Sequence, residues 1–211
     1  MFIFTSPILT IVSVLAVAFF YALIIGTHRT ALIRQICLIA SFVALLVGIF
    51  AALSFDKAAV GYQYMSTFNF TAEYNSAFAL GVDGMSYVFL ILTLFTFPFL
   101  FLAAWNVSKF PKHFFCHLLA MEILLVLTFV TIDLFYFFVL FESLLIPMFL
   151  LIGSWGARTR KIKAAYYFFL YTLFGSLFML FGMIYLYQLT GSLNYYVLLS
   201  ETLDDKTQRL L

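Results

Sequence analysis

The apolar positions of this chain follow neither the two-residue alternation of a half-buried strand nor the one-sided stripe of a surface helix; they run unbroken for about twenty residues at a time. Six such runs are long enough to cross a bilayer as helices, because about 20 residues at 1.5 Å rise span about 30 Å of hydrocarbon. They lie at roughly 2–25, 32–54, 85–105, 114–132, 134–154 and 164–189. A transmembrane β-barrel needs segments of about ten residues that alternate apolar and polar, and none of the six does. Backbone groups in hydrocarbon must then pair within their own segment, which leaves helices. The expected fold class is an all-α integral membrane protein: six transmembrane helices in a single membrane domain over 1–211, with an extramembrane loop at 55–84 and a polar tail at 190–211.

Composition points the same way, since 65% of the 211 residues are hydrophobic and only 9% are charged, far outside soluble usage. The first run has no basic segment before it and no small-residue cleavage site after it, so it reads as a retained span, not a signal peptide. Without an Arg-rich presequence either, an organellar version of so apolar a chain is expected to be made inside the organelle.

Charge then orients the chain. Connections after odd-numbered spans carry Arg29, Arg34, Lys109, Lys112, Arg158, Arg160, Lys161 and Lys163, eight bases and no acid. The other side carries Asp56, Lys57, Glu73, Asp83, Asp133, Glu201, Asp204, Asp205, Lys206 and Arg209, seven acids against three bases. By the positive-inside rule the basic side faces cytoplasm or mitochondrial matrix and both termini face the opposite compartment. Trp105 and Trp155 end spans on the basic side, where indole anchors well. The cluster RTRKIK, 158–163, is read as a topology determinant and not as a nucleic-acid or lipid site.

Two acids remain, both inside spans: Glu122 and Glu142. A charge at the bilayer centre costs at least about 2.5 kcal/mol, and such residues are retained mainly on ion or proton pathways. The plainer reading is a protonated acid that donates a hydrogen bond between helices. Two features favour the pathway for Glu142. Pro147 lacks an N–H, and its ring collides with the carbonyl of Ser143, which leaves a free acceptor beside the acid. Glu122 stands eleven residues before Asp133, the turn, and Glu142 nine residues after it, so in an antiparallel hairpin the two carboxyls share a depth. Spacing does not say whether they face each other. An acid so placed changes protonation when a neighbouring charge appears or leaves.

Other motifs carry less. Cys37 and Cys116 form no C-x-x-C pair and read as packing residues. HFFCH, 113–117, sets His113, Cys116 and His117 on one face but lacks a fourth ligand, so it reads as an interfacial anchor. NFT at Asn69 and NVS at Asn106 match a sequon that chance supplies readily. Neither G-x-x-x-x-G-K-[ST] nor G-x-G-x-x-G occurs, so no nucleotide or flavin site is expected.

The stretches LGVDGMS (80–86), DLFYFFVLFESLLIPMFLLIGSWG (133–156) and KAAYYFFLYTLFGSLFMLFGMIYLYQLTGSLNYY (163–196) resemble subunit 4 of respiratory-complex-I NADH dehydrogenases, the mitochondrial type most closely. The resemblance is dense over about 80–196, and the first 75 residues match in hydropathy alone. It implies the N-terminal part of an antiporter-like, proton-translocating membrane-arm subunit that couples NADH:ubiquinone oxidoreduction to proton movement. Glu142 takes the motif position of the family's proton-pathway glutamate; Ser143 and Pro147 support the path, and Glu122 and Asp133 match mitochondrial relatives. No cofactor is expected on this chain, with NADH, flavin, iron–sulfur clusters and ubiquinone elsewhere in the complex.

The family's subunit has about fourteen helices and essential lysines on the seventh and eighth, whereas no lysine lies inside the six runs here. The resemblance therefore implies either a second chain that supplies the C-terminal helices with their buried lysines or a truncated version that cannot pump alone; the first is the favoured expectation, with SETLDDKTQRLL, 200–211, as the place where the subunit is split. Expected partners are that chain, the other membrane-arm subunits and membrane lipids, not nucleic acid. The expected location is the mitochondrial inner membrane, with basic loops in the matrix and both termini toward the intermembrane space. The alternatives are a subunit of a cation/proton antiporter and a structural half-subunit without its own relay.

Overall fold

A computed structural model of the chain describes residues 6–56, 61–68, 78–157 and 159–200. The sequon at Asn69, the charges at Lys57, Glu73 and Arg158, and the stretch 201–211 lie outside these residues.

Six long helices follow the apolar runs: α1 Pro7–Ile24, α2 Thr30–Ser54, α3 Gly84–Ala103, α4 Pro111–Val130, α5 Leu134–Trp155 and α6 Lys161–Thr190. Each is long and apolar enough to cross a membrane. Their ends are written locally. Ser6 accepts from the Leu9 amide ahead of Pro7, Asp83 from Ser86 N at 2.8 Å, and Asp133 from Phe135 N at 2.8 Å and Tyr136 N at 3.4 Å; each satisfies amides that the first helical turn leaves without partners. Gly191, at φ +69°, ends α6 in the left-handed conformation that glycine adopts without steric cost.

At the opposite ends the basic residues serve the carbonyls. Lys112 Nζ donates to Leu23 O and Ile25 O, at 2.8 and 2.6 Å, closing α1. Lys161 Nζ donates to Ser154 O at 2.6 Å, closing α5, and Arg34 Nη2 to Val107 O at 2.8 Å, just beyond α3. Aspartates at the N-termini of α3 and α5 and cations at the C-termini of α1 and α5 both complement the helix dipole. The charge asymmetry seen along the sequence is therefore also a capping pattern.

Helices α1 to α4 make the core: α1 packs on α2 and α4, α2 on α3 and α4, and α3 on α4. Small residues set the approach, with Ala18, Ala22, Ala40, Ala44 and Gly48 buried, as expected where van der Waals packing joins helices in lipid. A Cβ on Gly48 would stand 2.7 Å from Leu94 Cδ1, so any side chain there would have to push the Leu94 methyl aside. Helix α5 packs on α4 and α6 on α5, and both stay largely uncovered: only Leu145 and Pro147 of α5 are buried among the described residues.

The segment 55–84, read as loop, contains an antiparallel hairpin, β1 Gln63–Phe68 with β2 Phe78–Val82. The ladder continues past it. Ile132 N donates to Ala79 O at 3.0 Å, while Leu134 N donates to Leu193 O at 3.1 Å and Tyr195 N to Ile132 O at 3.3 Å. Residues 131–133, between α4 and α5, are thereby held on one edge by β2 and on the other by the segment that leads into a short helix, α7 Tyr195–Ser200. This clasp joins three connections on the acidic side, and none of its pairings is local in sequence.

Candidate functional site

The two intramembrane acids sit at matched positions. Glu122 lies eight residues before the end of α4, and Glu142 eight residues after the start of α5. At 1.5 Å per residue each is about 12 Å along its helix from the Asp133 turn.

Their surroundings differ. Glu142 is half-buried, and its Oε1 is enclosed with no hydrogen-bond partner among the described residues. It occupies the middle of α5, the helix between α4 and α6. Ser143 Oγ donates back to Val139 O at 2.7 Å, so its hydroxyl serves its own helix and not the neighbouring acid. Pro147 is buried within an α5 that stays helical through it. A proline there withdraws the amide that would serve the Ser143 carbonyl.

Glu122 is fully enclosed, at 0% exposure. Its Oε1 accepts a 2.7 Å hydrogen bond from Ser41 Oγ on α2, and its Oε2 is buried without a partner among the described residues. Cys37, one turn before Ser41, lies within electrostatic reach of Glu122 and of Cys116. The Glu122 carboxyl is thus turned to α2, and no hydrogen bond joins it to Glu142.

Reading the sequence missed Ser41. Its only signal is a hydroxyl within an apolar run, on the same helical face as Cys37, Ala44 and Gly48, and nothing along the chain pairs it with a residue 81 positions away.

The cations stay at the basic end. Lys109, Lys112, Lys161 and Arg34 are tied to backbone carbonyls there. The HFFCH residues divide: Cys116 is buried, His113 is exposed, and the His117 ring lies 6.1 Å from that of Trp155. No group of three or more His, Cys, Asp or Glu side chains among the described residues is arranged to hold a metal ion.

Asp133, outside the spans, is 4% exposed. Burial pushes its carboxyl up, against the Phe135 and Tyr136 amides that pull it down. A carboxyl raised by folding binds protons more readily folded than unfolded. Its contribution to stability is full below the unfolded value of about 3.9 and is lost as pH rises through the folded value. Asp133→Asn keeps a capping acceptor and removes the titration, so the variant's thermal inactivation midpoint is expected to vary less with pH above about 4. Asp133→Ala loses the cap and about 1 kcal/mol throughout. Parallel pH curves for the Asp133→Asn variant and the parent protein would remove Asp133 as the titrating group.

A family profile described as "NADH:quinone oxidoreductase/Mrp antiporter, TM" matches residues 131–210. NADH-ubiquinone oxidoreductase chain 4 of Arabidopsis thaliana is 40% identical over 190 residues, 90% of this chain and 38% of that protein. The chain 4 of Metridium senile is 50% identical over 131 residues, 62% of this chain and 27% of its own length. NADH-quinone oxidoreductase subunit M of Rhodobacter capsulatus is 38% identical over 167 residues, covering 79% and 32%. In structure, the fold is like that of a chain in respiratory complex I from Thermus thermophilus with bound NADH, with TM-score 0.76 at 24% identity over 93% of this chain and 40% of that one. The chain thus spans about two fifths of the length of the Arabidopsis protein and of the Thermus chain. An alignment over 190 of 211 residues also extends into the first 75.

Proposed function

We propose, from the premise that the chain belongs to the subunit 4 family of NADH:ubiquinone oxidoreductase and corresponds to the N-terminal portion of its members, that it forms part of a proton-translocating unit in the membrane arm of respiratory complex I. Electron transfer from NADH to ubiquinone takes place on other subunits, which carry the flavin, the iron–sulfur clusters and the quinone site. This chain's own work is to hold and release protons.

Glu142 is the relay. The observation that carries this is its Oε1, enclosed and without a partner among the described residues, halfway along a helix that is largely uncovered beyond α4 and α6. An enclosed acid oxygen needs either a proton or a cation. Helices outside residues 1–211 would bring a lysine against the uncovered side of α5 and hold Glu142 ionised. When that ammonium moves or loses its proton, Glu142 takes up H⁺ from the basic side and later releases it toward the acidic side. The Ser143 carbonyl, left without an amide by Pro147, offers an acceptor along the path. Glu122 is a second proton-holding group at the same depth.

The location is the mitochondrial inner membrane, with the basic loops in the matrix and Asp83 and Asp133 toward the intermembrane space. Partners are the other membrane-arm subunits and membrane lipids, and the lysine helices lie outside residues 1–211. Proton pumping by the assembled complex carrying Glu142→Gln tests the reading, and loss of pumping with assembly intact is expected. A second reading is favoured by the profile's inclusion of Mrp antiporters: a subunit of a cation/proton antiporter. That reading requires sodium-dependent proton movement without NADH, whereas the proposed one gives NADH-driven movement indifferent to sodium.

A further inference from the structure

The relay at Glu142 leaves the α2–α4 contact unexplained. Ser41 and Glu122 are both at 0% exposure, and a 2.7 Å hydrogen bond joins them across the two helices. Hydroxyls in apolar helices normally donate to a carbonyl one turn back. Thr93, Thr96, Thr128 and Ser143 do so here, to Phe89, Leu92, Leu124 and Val139. Ser41 instead donates its hydrogen bond to another helix. We propose that Ser41 is the positioning residue of a second proton-holding site, Glu122, which exchanges H⁺ with the basic side through the α2–α4 interface and not by way of Glu142. This rests on the proton-translocating reading above.

Three features support it. The bond fixes Oε1 and leaves Oε2, buried and unpartnered among the described residues, as the atom that takes and gives the proton. Ser41 keeps its own proton throughout: H⁺ adds to Oε2 to give the neutral acid and leaves it to give the carboxylate, which Ser41 still donates to.

Toward the basic side, one face of α2 carries two polar side chains, Ser41 and Arg34, with the buried Cys37 between them. Arg34, Cys37 and Ser41 stand at i, i+3 and i+7, which share a face, and Arg34 lies about 10 Å from Ser41 along the axis. The Arg34 Nε is itself buried without a partner among the described residues, while its guanidinium carbon stands 5.9 Å from the centre of the Phe115 ring. Cys116 of α4 lies within electrostatic reach of Cys37.

Toward the acidic side the interface is committed. From α3, Tyr87 Oη donates to Gly48 O at 2.6 Å, seven residues beyond Ser41 on the same face of α2, and Thr93 donates within its own helix. At the basic end, Lys112 of α4 is held by the carbonyls at the end of α1. Helix α1 brings one titratable side chain, the exposed Tyr21, and Glu142 of α5 makes no hydrogen bond to Glu122.

The test is the pH profile of NADH-driven proton pumping by the assembled complex carrying Ser41→Ala, Ser41→Thr or Glu122→Gln. Ser41→Ala is expected to move the profile's midpoint by about one pH unit, a tenfold change in proton activity, and Ser41→Thr to restore it. Glu122→Gln keeps an acceptor for Ser41 but cannot ionise, so assembly is expected to hold while pumping falls. An unmoved profile in Ser41→Ala, with only lower thermal stability, would make the bond a packing tie and overturn the proposal. Should Ser41→Ala fail to assemble, Glu122→Gln decides: wild-type pumping with a wild-type profile overturns the site. If Glu142→Gln abolishes pumping while these variants leave it unchanged, only the second site fails. If Glu142→Gln also pumps fully, the proton-translocating reading itself fails.

Discussion

Glu142→Gln is expected to lower NADH-driven proton pumping about 10²-fold, the lower end of what a positioned proton-transfer group contributes, while the complex still assembles. Glutamine matches glutamate in shape and is cheaper to bury, because it never carries charge. The half-buried site on α5 therefore loses neither volume nor packing. What it loses is the ability to take a proton on the enclosed Oε1. Glu142→Asp keeps the acid and retracts it by one methylene, so an intermediate rate is expected. Pumping is read as acidification of the vesicle interior by reconstituted complex on adding NADH, with subunit content checked in parallel. Full pumping by an intact complex carrying Glu142→Gln would leave the chain with a structural role alone.

Phe115→Ala carries the largest expected stability loss. Phe115 has no exposure, stacks on Phe101 with ring centres 5.9 Å apart, and lies beneath the Arg34 guanidinium. It thereby joins α2, α3 and α4 at one point. In lipid, moving a ring out of the core recovers little transfer energy, since hydrocarbon lies on both sides. The cost comes from the cavity and the lost dispersion contacts. About 3 kcal/mol is expected, the low end for a buried aromatic. That is enough to reduce the amount of subunit in the assembled complex several-fold. Native electrophoresis of the membrane arm measures it, and unchanged abundance would show that the core closes over the gap. Phe99→Ala, at an exposed ring of α3, is the control and is expected to change little.

Much of this architecture is legible along the chain because lipid imposes one rule on every residue of a span. The backbone must satisfy itself, so an unbroken apolar run becomes a helix whatever its neighbours are. The structure adds the local residues that set the ends: Asp83 and Asp133 cap, and Pro7 and Pro111 open helices. The candidate acids stand out for the same reason, since a carboxyl is costly in hydrocarbon wherever the helix turns it.

The 131–133 clasp was not legible, because β2 and residues 193–195 meet that segment from about 50 residues before it and 60 after it, and no short-range pattern encodes such a pairing. Hydropathy likewise does not distinguish the enclosed core of α1 to α4 from the uncovered α5 and α6, since apolar side chains suit both helix and lipid contacts.

The sequence by itself determined six spans, the segregation of charge, and two acids at one depth, all of which follow from the rise of a helix and the cost of charge in lipid. Only the tertiary structure decided which way those acids turn. Rotation about a helix axis is set by packing against neighbouring helices, and it directs Glu122 to Ser41 in the core while Glu142 keeps an unpartnered oxygen on the uncovered helix.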